Sequence, residues 1–311
     1  MKAAAHFAVI GAGHMGRYHA EKLAALRGVK LVAVVDTDSA RAAALAQKVG
    51  GAPLSDYRQI FGKADAAVIA VPTDRHHAIA RECLQQGLHL LIEKPIATTL
   101  AETDELIALA DKKRLVLQTG HVERYNKAFR SLVARMERPV FVEAERLAAF
   151  KQRGAEVDVV LDLMIHDLDL ACALARAEPS AVSACGFRVL THDIDIANAR
   201  IEFANGCVAN LSASRVSQTA VRKLRVFQNG LYVSADLQAG KLRYVREMKG
   251  DIEQTDETHA GGDALAEQAA AFAAAVQGKR RVELDGREGR RALDLALQVG
   301  QLVRERLRKF E

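Results

Sequence analysis

The chain predicts an α/β fold in two parts, and three features carry that prediction. Strand-like and helix-like stretches alternate up to about residue 120. A glycine-rich hexapeptide joins the first strand to the first helix. Hairpin-linked strands replace the alternation after about residue 122. In the first part, strands are read at residues 7–10, 29–35, 66–71, 88–92 and 115–118, and helices at 14–26, 39–49, 76–86 and 101–112. A short element at 57–61 connects a weak third strand to the fourth. Such alternation implies right-handed crossovers and a doubly wound parallel sheet.

The second part opens with a strand at 138–149 and a helix at 159–175. Extended runs follow at 181–190, 197–203, 207–214, 223–227, 231–237 and 241–247, and two alanine-rich helices at 264–276 and 287–309 finish the chain. Asn205-Gly206 and Asn229-Gly230 favour positive φ and mark tight hairpins. A large, mostly antiparallel open sheet in an α+β domain is expected. The change of pattern divides the chain into two domains, residues 1–121 and residues 122–311.

Composition narrows the function. At 311 residues, half of them apolar, the chain has room for two cores, and its net charge of +5 is mild. No basic stripe interleaved with aromatics points to nucleic acid. No apolar run is long enough to span a membrane. His6, Gly11, Gly13 and His14 interrupt any signal-peptide core near the start. Cys83, Cys172, Cys185 and Cys207 form no C-x-x-C pair, which suits reduced thiols and a cytoplasmic location. His121, His166, His192 and Asp193 have no metal-ligand spacing, so no metal is expected. Alternating runs such as Ala199–Phe203 and Leu224–Phe227 leave a sheet face to be covered, which predicts a homodimer or homotetramer.

Three motifs carry chemistry. Gly11-Ala12-Gly13-His14-Met15-Gly16 follows the run Phe7-Ala8-Val9-Ile10, and Asp36 ends the second strand about 20 residues on. This is the setting of a dinucleotide site. Gly11 permits the turn, Gly13 lets N–H groups approach a pyrophosphate, and Gly16 lets helix and strand pack closely. The Asp36 carboxylate accepts from a ribose diol and repels a 2′-phosphate, which favours NAD over NADP. Arg41 stands near enough to weaken that preference. Glu93-Lys94-Pro95 follows the fifth strand, at the sheet end where ligands bind. Asp162 and His166 share a helical face by their i, i+4 spacing, so the carboxylate is placed to orient the imidazole as a base.

These motifs, with Pro72-Thr73-Asp74-Arg75-His76, Gly120–Asn126 and the C-terminal helices from Gly261-Gly262-Asp263, resemble the Gfo/Idh/MocA family of NAD(P)-dependent oxidoreductases along nearly the whole chain. The resemblance implies a Rossmann domain followed by an α/β domain with a large open sheet, and action on sugars, cyclitols or nucleotide-sugars. It implies catalysis by Lys94, His166 and Asp162, and cofactor contacts at Gly11, Gly13, His14, Met15, Gly16, Asp36, Pro72, Thr73, His76, Glu93 and Lys94. Substrate contacts are expected from Lys94, Arg124, Tyr125, Asn126, Lys151, Arg153, Asp162 and His166. Two positions depart from the family pattern: Thr73 stands where Asn is frequent, and Lys127 where Pro is frequent. The stretch 154–167, with Gly120–Asn126, is similar to members that oxidise the 3-hydroxyl of UDP-N-acetylglucosamine. Two rivals stay open: a dehydrogenase of inositol or another small ring, and a non-catalytic dinucleotide-binding regulator on the same scaffold.

Overall fold

The computed structural model describes residues 4–150, 157–248, 250–259 and 261–309. Two compact units divide them: Met1–Val122 with Asp263–Arg291, and Glu123–Gly262 with Ala292–Glu311.

The first unit is built on a six-stranded parallel sheet of β1 (Ala5–Ile10), β2 (Val29–Val35), β3 (Ala52–Leu54), β4 (Ala66–Ile69), β5 (His89–Ile92) and β6 (Leu117–Thr119), in the order β3-β2-β1-β4-β5-β6. The order reverses beside β1, which makes the end of β1 the switch point. Helices α1 (His14–Ala24), α2 (Ser39–Val49), α3 (His76–Gln85) and α4 (Leu100–Lys113) alternate with the strands. Phe7–Ile10 and Ala66–Ile69 are wholly buried, as central parallel strands require. A 3-10 turn at Tyr57–Ile60 occupies the short element read between β3 and β4. Asp38 caps α2 by accepting the Arg41 N–H at 3.0 Å, and Thr99 and Glu102 form a capping box on α4.

One placement differs from the sequence reading. The alanine-rich helix α7 (Ala264–Val276), expected in the second domain, belongs to the first unit. Its Ala269, Phe272 and Ala273 join the core of Phe7, Val9, Leu23, Leu31 and Leu91, and the Phe272 ring meets Phe7 edge-on at 5.6 Å. A helix carrying so many small apolar side chains is drawn to whichever apolar surface lies nearest, and periodicity does not reveal which one that is. The start of α8 (Gly286–Leu307) also belongs here, and its remainder to the second unit.

The second unit carries an eight-stranded sheet, built from β7 (Phe141–Leu147), β8 (Pro179–Phe187), β9 (Ile196–Phe203), β10 (Val208–Ser214), β11 (Val221–Gln228), β12 (Leu231–Asp236), β13 (Lys241–Met248) and β14 (Asp251–Thr258). The order is β14-β13-β12-β11-β7-β10-β9-β8, antiparallel throughout except where β10 runs parallel to β7. Both Asn-Gly hairpins form, with φ of +85° at Gly206 and +71° at Gly230. One face packs its apolar positions against α5 (Lys127–Arg135), α6 (Ile165–Ala175) and α8, in a core that includes Phe129, Leu168, Val233 and Val299. Two elements have no counterpart in the sequence reading. α5 is short, and β14 is the polar edge strand Asp-Ile-Glu-Gln-Thr-Asp-Glu-Thr, which has no apolar alternation to signal it. The four cysteines are free thiols. Among the described residues no helix is long and apolar enough to cross a membrane.

Asp263 ties α7 to α1. Its carboxylate caps α7 at the Ala266 N–H, 2.9 Å away, and pairs with Lys22 at 2.7 Å. Replacing Asp263 with Ala is expected to lower unfolding free energy by about 1 kcal/mol through the lost cap, because half-exposed ion pairs add little. Asp263→Asn keeps a capping oxygen and is expected to retain most of the stability in urea denaturation.

Candidate active site

At the switch point the three glycines have three different reasons to be glycine. Gly11 has φ +98°, and a Cβ there would lie 2.4 Å from the Ala70 carbonyl oxygen. At Gly16 a Cβ would lie 1.7 Å from the Gly11 oxygen, so only glycine lets α1 rest on the loop. At Gly13 a Cβ would meet nothing within 4 Å, so the chain's own packing does not demand glycine there, and the close approach of a pyrophosphate to the loop does. Gly13 is also the N-cap of α1, yet no side chain caps the helix and its first turn holds no acid. The N–H groups of that turn and the positive end of the helix dipole therefore suit a pyrophosphate. His14 and Met15 occupy this first turn, and the His14 ring lies edge-on to Tyr18.

Asp36 ends β2 and reaches back to the loop. Its Oδ2 accepts the Ala12 N–H at 2.8 Å, and its Oδ1 accepts the Asp38 N–H at 2.9 Å. Asp38, not Asp36, caps α2. Arg41 places its guanidinium 3.7 Å from Asp36 and 3.3 Å from Asp38, so its charge is engaged by two carboxylates.

Glu93-Lys94-Pro95 leaves the end of β5, and the Lys94–Pro95 peptide is cis. Glu93 is buried. Its Oε1 lies 2.6 Å from Nε2 of His19 and its Oε2 accepts the Lys94 N–H. Burial alone would push the Glu93 carboxyl up. The hydrogen bond and charge of His19, with Lys94 nearby, outweigh it and hold the carboxyl below its usual range. Pro72 and Thr73 lead from β4 into α3. His76 is 1% exposed, with Nδ1 2.9 Å from the Pro95 oxygen and Nε2 2.9 Å from the Val71 oxygen. Burial lowers the pKa of His76. Sequence reasoning passed over His19, although its position three residues after Gly16 places it on the same helix face.

In the second unit, the stretch read as one helix from 159 begins as a π-helical turn, Val160–Met164, and continues as α6. Asp158 starts it by accepting the N–H groups of Val160 and Leu161, and it also receives Arg304 Nη2 at 2.6 Å. Asp162 lies in the π turn and His166 at the start of α6, and both are partly exposed, His166 between the buried Ile165 and Asp167. Asp167 and Asp169 turn inward. Asp167 forms a two-pronged bond to Arg146, whose Nη1 donates to Glu123 at 3.0 Å. Arg124 Nη1 donates to Asp169. Among the substrate candidates, Tyr125 is 1% exposed, while Asn126 caps α5 and donates to the Leu237 oxygen. Lys151 and Arg153 lie outside the described residues.

The glycines give a direct test. Gly13→Ala is expected to cost at most about 1 kcal/mol of stability, as alanine is the poorer N-cap, and to weaken NADH binding by at least about 10-fold, since a pyrophosphate approaches the loop at this position. Gly16→Ala is expected to destabilise the unit outright. Calorimetric titration and thermal melts of both variants check the contrast.

Residues 5–121 match the oxidoreductase family with an NAD-binding Rossmann fold, GFO/IDH/MocA, and residues 129–229 match the GFO/IDH/MocA C-terminal domain. The chain is 40% identical over 298 residues to the UDP-N-acetylglucosamine 3-dehydrogenase of Acidithiobacillus ferrooxidans, covering 94% of this chain and 95% of that one. A solved structure of that enzyme superposes with a TM-score of 0.92 at 39% identity, covering 97% of this chain and 98% of its own. The scyllo-inositol 2-dehydrogenase (NAD(+)) of Bacillus subtilis is 29% identical over 233 residues, 68% of this chain and 67% of the relative. With a glycine loop shaped for a pyrophosphate and matches across both units, the chain belongs to the GFO/IDH/MocA family and is an NAD(P)-using dehydrogenase acting on CH–OH groups.

Proposed function

We propose that this chain oxidises the C3 hydroxyl of UDP-N-acetylglucosamine or a near nucleotide-sugar, with NAD+ as the preferred cofactor. The observation that carries this reading is the end-to-end similarity to an enzyme named for that substrate, well above the similarity to the B. subtilis inositol dehydrogenase.

Oxidising a ring hydroxyl removes one proton and one hydride. The dinucleotide, when bound, supplies the hydride acceptor. The chain's own residues hold the loop, position the oxygen and take the proton. Two groups suit the proton. His166 has Asp162 four residues before it to orient its ring. Lys94 stands on a turn tied to buried neighbours, where an ammonium polarises the oxygen or relays the proton. Arg124, held by Asp169, is the described cation proposed for the diphosphate. Lys151 and Arg153 are proposed with it from sequence alone.

Asp36 supports NAD over NADP. A 2′-phosphate would meet a carboxylate whose place is fixed by two backbone N–H groups, and the nearby guanidinium is already paired. We also place a homodimer or homotetramer contact on the outer face of the eight-stranded sheet. There Phe141, Phe227 and Tyr232 form a partly exposed row across three paired strands, with ring centroids 5.7 and 4.8 Å apart.

Three measurements test this reading. With UDP-N-acetylglucosamine, NAD+ and a glutamate-dependent aminotransferase to draw off the ketone, NADH is expected to accumulate. Lys94→Ala and His166→Ala are each expected to cut turnover by about 10²–10⁴-fold. Turnover of myo-inositol with no binding of any UDP-sugar would favour the polyol reading, and no turnover of any sugar the regulator. In a second measurement, Asp36→Ser is expected to weaken NAD binding and relax discrimination against NADP, while Asp38→Ala costs only the helix cap, about 1 kcal/mol. Equal use of both cofactors by the unmutated protein would refute the preference. In the third, light scattering at micromolar concentration is expected to show an oligomer that Phe227→Lys dissociates. A monomeric wild type would end that proposal.

A further inference from the structure

Two buried histidines converge on the turn that carries Lys94. His19 comes from α1 and is fully buried, with Nε2 2.6 Å from Glu93 Oε1. The other Glu93 oxygen accepts the Lys94 backbone N–H at 3.2 Å. His76, at the start of α3, lies 2.9 Å from the carbonyl oxygen of Pro95 and the same distance from that of Val71. The residue before Lys94 is therefore tethered through its side chain, and the residue after it through its carbonyl in the tautomer that carries the single His76 proton on Nδ1. Gly120 closes a third side, since a Cβ there would lie 2.8 Å from the Glu93 Cα.

Such anchoring matters for lysine in particular. Its four-carbon stem is flexible and its ammonium is a point charge, so the backbone that launches it sets much of where the charge is presented. A misplacement of about 1 Å at a reacting centre costs roughly 10²-fold in rate. A buried carboxylate without a partner would also disturb the turn, because an unpaired buried charge is costly. His19 supplies that partner inside the unit.

We propose that His19 and His76 are positioning residues that clamp the Glu93-Lys94-Pro95 turn from its two sides and so set where the Lys94 ammonium is presented. The proposal rests on the reading of Lys94 as a group that acts on the substrate oxygen. Neither histidine needs to touch substrate. The clamp makes the histidines' contribution to turnover conditional on the lysine: where Lys94 is absent, there is nothing left for them to position.

A double-mutant cycle tests this. His19→Leu, His19→Gln and His76→Leu are made in the wild type and in Lys94→Ala, and hydride transfer to NAD+ is followed in single-turnover reactions with enzyme in excess. Binding of NADH is measured by calorimetry and folding by thermal melts. In the wild-type background, His19→Leu and His76→Leu are each expected to lower the transfer rate at least about 10-fold while NADH affinity changes by less than about 3-fold. His19→Gln, which keeps a donor for Glu93, is expected to recover much of the loss. In the Lys94→Ala background the same changes are expected to add little, the non-additivity of residues that act as one unit. Equal fractional losses in both backgrounds, or no loss in the wild type, would overturn the clamp and leave the role of Lys94 standing. Full turnover by Lys94→Ala alone would remove that role and the clamp with it. Should His19→Leu fail to fold, Glu93→Gln takes its place in the cycle, with the same outcomes.

Discussion

The first unit depends on a missing atom. A Cβ at Gly16 would lie 1.7 Å from the Gly11 carbonyl oxygen, so α1 sits on its loop only because that position is bare. The close approach fixes the rotation of α1 about its axis. Rotation in turn decides that His19, one turn further on, faces inward and meets Glu93 at the end of β5. One steric constraint thereby sets both the N-terminal end of α1 at the glycine loop and the buried His19–Glu93 hydrogen bond behind the Lys94 turn. Both features lie at the carboxyl ends of parallel strands, the part of such a sheet where ligands bind.

The second unit is constrained by charge. Arg146 projects from β7 into the interior and is 4% exposed, with Asp167 of α6 and Glu123 as partners. A buried guanidinium is tolerable only when its donors are met, and here two carboxylates meet them. Burial pushes the Asp167 carboxyl up, and Arg146 works against that shift. Removing Arg146 would leave the buried Asp167 carboxylate without its partner, at a cost of about 3–5 kcal/mol, while Glu123 would keep Arg222 at 3.3 Å. The same network fixes α6 on the sheet. With Asp167 turned inward, its neighbour His166 is left partly exposed on the adjoining side of the helix.

Much of this was legible in the sequence where local pattern and long-range environment agree. The five main parallel strands and α2 and α7 stand close to where periodicity placed them, because buried strands read as unbroken apolar runs and amphipathic helices as 3.6-residue stripes. β14 was not legible, since a polar edge strand gains its partner from β13 alone and carries no buried stripe. The partner of α7 was not legible either. Its alanines fit any flat apolar surface, and the Phe7–Phe272 contact joins residues 265 positions apart in the chain, a pairing that no local pattern encodes.

At the candidate site the same distinction holds in sharper form. Gly11, Gly16 and Asp36 were readable because the geometry of the loop demands them, whereas Lys94, Asp162 and His166 stand as the catalytic groups proposed above. The duties of His76 and Asn126 were not readable. Both looked like ligand contacts on motif grounds, and both spend their polar atoms on backbone groups far along the chain, Pro95 and Leu237. A motif records that a residue type is required at a position. It does not say whether the requirement comes from a ligand or from the scaffold that holds the ligand's partners. Hydrogen bonding identifies the scaffold's share: His76, 1% exposed, has both ring nitrogens beside carbonyl oxygens, and the partly exposed Asn126 spends its amide on the α5 cap and the Leu237 oxygen.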